Sequence, residues 1–127
     1  MSKEAVDADE RAVLAALEGI VRMQRTIRGG LDVGAATALI SVRIYYNTLP
    51  KNIARRLTEL NPVALAAIPG ATALQGSKKA RENIAASVAS DAAFAQAIRA
   101  ANVYREKLGY ELLGPDGSPK PEGGVDI

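Results

Sequence analysis

The chain of 127 residues contains no histidine, no cysteine and no tryptophan. The lack of histidine removes the side chain that most readily moves protons near neutral pH. The lack of cysteine removes disulfides and the thiol nucleophile, and together the two absences remove the usual zinc ligands. Cysteine-free chains also suit a reducing compartment. Aromatic residues are scarce, at one phenylalanine (Phe94) and four tyrosines. No uncharged apolar run reaches the ~18 residues that span a bilayer. The longest apolar stretch, Val33 to Tyr46, carries Arg43. Met1 to Glu10 is polar and acidic and lacks the basic-then-apolar order of a secretory signal. These exclusions predict no membrane partner and a protein that is cytoplasmic, or incorporated into an assembled particle.

Alanine is the commonest residue, set in runs of helical character. Hydrophobic content is 48% and charged content 24%, as in ordinary globular domains. An alanine methyl buries little area, so an alanine-rich core gains less from burial than a leucine-rich one. A domain of this size already gains limited stability from burial. The composition therefore predicts a fold that leans on partners or on copies of itself. The net charge of +2 is unevenly spread. Residues 1–10 set Lys3 against Glu4, Asp7, Asp9 and Glu10, and residues 111–127 set Lys120 against Glu111, Asp116, Glu122 and Asp126. The body between is basic, which favours nucleic acid or an acidic protein surface.

The periodicity predicts an all-α fold: a small bundle of five or six helices with a non-helical, Gly/Pro-rich C-terminal arm. Residues 1–109 form the helical domain and 110–127 the extended arm. A first helix is expected from Ala8 to Arg28, opened by a capping box of Asp7 and Glu10. Its apolar stripe is Val13, Leu17, Ile20, Val21 and Ile27. A second, Val33 to Tyr46, is apolar almost all round and is expected near the centre. A third runs from Pro50 to Leu60, with Ile53, Leu57 and Leu60 inward. Asn61-Pro62 starts a short helix, since proline suits the first helical position. Lys78 to Ala89 follows, and Ser90 caps a last helix from Asp91 to Leu108. Phe94, Ile98, Ala101 and Leu108 mark its inner face, and Gly109 ends it. Gly114-Pro115-Asp116-Gly117 reads as a turn.

Ser77, Lys78, Lys79 and Arg81 crowd cations into the first turn of a helix, where the macrodipole favours anions. They form a candidate site for an anion or for a partner's carboxylates. Arg11, Arg22 and Arg25 share one face of the first helix and, with Arg55 and Arg56, are the candidate nucleic-acid contacts. Glu18, four residues before Arg22, is expected to pair with it, which makes an ordinary solvated face the simpler reading. Tyr110, Leu112, Leu113, Val125 and Ile127 are the candidate apolar anchors of the arm, which is expected to lie across a neighbouring subunit.

Other motifs fail on spacing. Gly70 to Lys78 has one residue too many for a phosphate-binding loop, and no strand precedes it. A helix-turn-helix around Ser90 is a weak signal: it would present Asp91 to phosphate, and Arg99, Asn102 and Arg105, which could contact bases or phosphates, sit far along the helix. Glu18, Asp32, Glu59, Glu82, Asp91 and Glu106 are scattered rather than clustered for acid–base or metal work. The expectation is therefore no enzyme, no metal and no cofactor. The chain reads as a structural, assembly or adaptor protein whose partners are other protein subunits, self or hetero, in a multi-subunit complex such as a virion or connector. The alternative is a nucleic-acid-binding module using the basic body.

Overall fold

The computed structural model describes residues 3–29, 43–67 and 78–119. It is built from helices: α1 (Lys3–Arg28), α2 (described over residues 43–48), α3 (Lys51–Leu60), α4 (Pro62–Ala67), α5 (Lys78–Val88) and α6 (Asp91–Lys107). Among the described residues there is no strand, only an isolated antiparallel bridge between Leu113 and Pro119.

The core forms where α1 packs along α6, with α3, α4 and α5 closing the sides. Helix α1 buries Val13, Leu14, Leu17, Ile20 and Val21; α6 answers with Ala93, Phe94, Ala97, Ile98 and Ala101. A buried leucine contributes about 2 kcal/mol and a single methyl about 0.8 kcal/mol. The alanine side of this seam therefore contributes little per residue but lets the two backbones approach closely. In α3, Ile53 and Leu57 are buried while Lys51, Arg55 and Glu59 face out, as their spacing requires.

Helix α1 begins at Lys3, five residues before the expected start, so Asp7 lies inside the helix rather than at its N-cap position. Lysine, glutamate and alanine favour helix, and no glycine or proline stops the chain between Lys3 and Asp7. Most of the second helix lies outside the described residues, including Leu39, Ile40 and Val42. Its described end continues past Tyr46 to residue 48 and sits at the surface, with Ile44 60% exposed. Tyr46 turns partly inward, where its hydroxyl lies 2.7 Å from the Thr58 hydroxyl. The Pro69-Gly70 break lies outside the described residues.

The corner between α5 and α6 is held from α1. Helix C-termini leave carbonyls unpaired, and here two side chains of α1 satisfy them. Gln24 Nε2 donates to the Val88 carbonyl at 3.0 Å, and Arg28 donates to the Ala89 carbonyl at 2.7 Å. Ser90 caps α6 by accepting from the Ala93 N–H at 3.2 Å. Arg28 also reaches Asp91 at 2.8 Å, and its guanidinium lies 4.8 Å from the centre of the Phe94 ring.

Candidate interaction surface

The end of α6 and the segment after it form one unit. The Gly109 N–H donates to the Glu106 carbonyl and the Tyr110 N–H to the Arg105 carbonyl, the paired bonds of a Schellman motif with left-handed Gly109. Asn102 then grips the chain twice: its Nδ2 donates to the Leu113 carbonyl at 3.1 Å, and its Oδ1 accepts from the Leu113 N–H at 2.7 Å. Arg105 spans the same region, donating to the Glu111 carbonyl and pairing with Glu18 of α1.

Residues 113–119 fold into a tight hairpin. The Gly114 N–H donates to the Ser118 carbonyl at 2.7 Å, and the Gly117 N–H donates back to Gly114 at 2.9 Å. Asp116 Oδ1 accepts from both the backbone N–H and the hydroxyl of Ser118. These bonds, with the charge of Arg25, hold the Asp116 carboxyl below its usual value of 3.8. Gly117 presses against Val21 and Arg25 of α1 and Phe94 of α6. Over 110–119 the expected arm is thus a short link, 110–112, leading into a hairpin, 113–119, that packs on its own helices, with Asn102 supplying the backbone partners of Leu113.

The arm anchors divide accordingly. Leu113 is buried at 6% exposure, whereas Tyr110 and Leu112 stand 45% and 42% exposed. Val125 and Ile127 lie outside the described residues. Next to Asn102 on α6, Val103 is 53% exposed. The segment therefore sets Tyr110 and Leu112 outward on a backbone fixed at both ends, by the Schellman motif and by the Asn102 clamp.

The basic candidates separate too. Arg11, Arg22 and Arg25 are exposed along the outer face of α1, and Arg55 and Arg56 are exposed on α3. Arg56 leans over the Tyr104 ring at 5.9 Å. Glu18 does not pair with Arg22 as expected; it pairs across to Arg105, which approaches from α6 with one side chain 12% and the other 27% exposed. Between two packed helices the effective dielectric is lower than on a solvated face, so the Glu18–Arg105 attraction is stronger than a surface pair with Arg22 would be. Lys79 is exposed in the first turn of α5; Ser77, and the side chains of Lys78 and Arg81, lie outside what is described.

The sequence offers Asn102 and Arg105 only as base or phosphate contacts of a helix-turn-helix, not as the side chains that hold the C-terminal segment. Asparagine inside a helix is unfavourable on propensity alone, and that mismatch was the available signal for Asn102. Among the described residues no cluster of three or more acids could hold a metal, and no described helix is long and apolar enough to cross a membrane. Comparison of the chain with protein-family models, curated proteins and solved structures finds no match.

Proposed function

We propose that this chain is a non-catalytic structural or adaptor protein, acting through its helix faces and C-terminal arm inside a larger multi-subunit complex, such as a virion or connector. The observation that supports this reading is the pair Tyr110 and Leu112, large apolar side chains left in solvent on a pinned backbone. A segment already fixed in place loses little conformational entropy on docking, so most of its burial goes into affinity. Val103 of α6 is a further exposed apolar side chain. Three of the described carboxylates support the same view, since Glu18, Asp91 and Glu10 each join one helix to another. The partners are other protein subunits, identical or different.

The test is mass. Light scattering of the purified chain at micromolar concentration, and native mass measurement of material from the natural source, are expected to give a particle above 13.3 kDa in at least one case. A sharp monomer in both overturns the proposal.

A second reading is a nucleic-acid contact along α1. It is favoured by one observation: with Glu18 drawn to Arg105, Arg22 shares an exposed helix face with Arg11 and Arg25 and lacks the Glu18 pairing expected for it. Phosphate contacts of that kind weaken steeply as salt rises. Binding to a DNA or RNA duplex at low salt, lost on raising salt and on reversing the charge of Arg22 and Arg25, supports it. No binding at low salt ends it.

A further inference from the structure

Beside the hairpin lies a feature that the Tyr110–Leu112 surface does not include. An open groove of about 320 Å³ runs between the first half of α6 and the turn at Pro115. Phe94, Ala95 and Ile98 line it with apolar surface, and Arg28 and Arg99 bring guanidinium groups to it. Phe94 and Ile98 are buried at 7% and 8% exposure, so the lining is part of the core rather than a loose surface cluster. Its walls are fixed in advance. Arg28 is held by the Ala89 carbonyl, by Asp91 and by the face of Phe94. Pro115 is held by the hairpin, whose Gly117 is wedged against Val21 and Phe94. A volume near 300 Å³ with apolar lining and few polar groups is the usual form of a small binding site.

The charges select the occupant. Asp91 already answers Arg28. Arg99 is exposed and, among the described residues, has no ion pair. The groove therefore suits an aliphatic segment carrying one carboxylate. The chain's own sequence contains such a segment: Val125 and Ile127 flank Asp126, with Glu122 just before Gly123-Gly124. Pro119 stands at the base of the hairpin, bridged to Leu113, while Pro115 lines the groove from its tip. The assembly reading above makes a second copy the donor of this segment.

We propose that the groove between Phe94, Ile98, Arg99 and Pro115 receives residues 122–127 of a second copy of this chain, with Val125 and Ile127 against the apolar lining and Asp126 at Arg99. The inference rests on the assembly reading above and names its contact. Such a contact is head-to-tail, which closes into a ring or continues as a filament.

The absence of native cysteine makes the test direct. Ala95→Cys and Val125→Cys chains are prepared separately, mixed and oxidised mildly. The expected result is a covalent dimer formed at least several-fold more than in either variant alone, or in a mixture of Val125→Cys with Ala86→Cys, whose site is exposed on α5. Adding Arg99→Glu to the Ala95→Cys chain should lower the yield several-fold, and Asp126→Arg on the partner chain should restore it. A yield no greater than the Ala86→Cys control overturns the proposal. So does a chain carrying both Ala95→Cys and Val125→Cys that closes on itself instead of joining a neighbour. Light scattering on the same samples separates the two claims. Multimers without the cross-link leave the assembly reading standing and remove the groove; a monomer without the cross-link counts against both.

Discussion

Gly117 and Gly109 both sit at positive φ, +82° and +79°, yet they are required for different reasons. A Cβ on Gly109 would meet nothing within 4 Å, whereas one on Gly117 would lie 2.8 Å from Val21 Cγ1 and 3.2 Å from Phe94 Cζ. Gly109→Ala therefore carries only the backbone cost of a left-handed L-residue, about 1–2 kcal/mol. Gly117→Ala adds overpacking of about 1–3 kcal/mol. Urea denaturation of the two variants should separate them in that order. Asp116 offers a pH test on the same hairpin. Its folded carboxyl lies below 3.8, chiefly because the Ser118 hydroxyl and then the Ser118 N–H donate to the charged form. A depressed carboxyl stabilises the fold above pH 3.8, and that contribution is lost as pH falls through the folded value. Titration of Asp116 by NMR should show a midpoint below 3.8, and Ser118→Ala should move it upward.

At the scale of elements the decisive contact is the alanine seam between α1 and α6. Ala97 is fully buried and Ala92, on the same helix, is exposed. Ala97→Leu should push the helices apart and cost about 1–3 kcal/mol, while Ala92→Leu should leave the denaturation midpoint nearly unchanged. Equal effects at the two sites would mean that close approach is not what holds the seam. Much of this element pattern was legible in the chain. The Asn61-Pro62 start, the Ser90 cap, the Gly109 stop and the inner faces of α3 and α6 each follow from local residue chemistry. The start of α1 was misread because an Asp-x-x-Glu pattern resembles a cap even inside a helix. Gln24 is a different kind of miss. It is wholly buried, with Nε2 on the Val88 carbonyl and Oε1 without a partner, and no periodicity rule places glutamine in a core. Arg28 on Ala89 and Arg105 on Glu18 are likewise invisible locally, because each partner lies more than sixty residues away.

For the whole molecule, the question is whether stability and assembly can be separated. The hairpin is tied to the body by the Asn102 side chain and by Leu113, not by Leu112 or Val103. Surface substitutions away from buried contacts usually change stability by about 0.5 kcal/mol or less. Leu112→Ser with Val103→Ser should therefore leave thermal unfolding of the isolated chain almost where it was. If these side chains dock on another subunit, the same pair of changes removes apolar area from the contact and should raise the dissociation constant of the complex by at least tenfold, about 1.4 kcal/mol. Sedimentation at several protein concentrations reads that shift directly. A loss of folding without a change in assembly would place Leu112 and Val103 in the core's service, and the outward face of the pinned segment would need no partner to account for it. The expected split, assembly weakened and folding kept, is the signature of a chain whose arm is anchored from within so that its outer side is free for a neighbour.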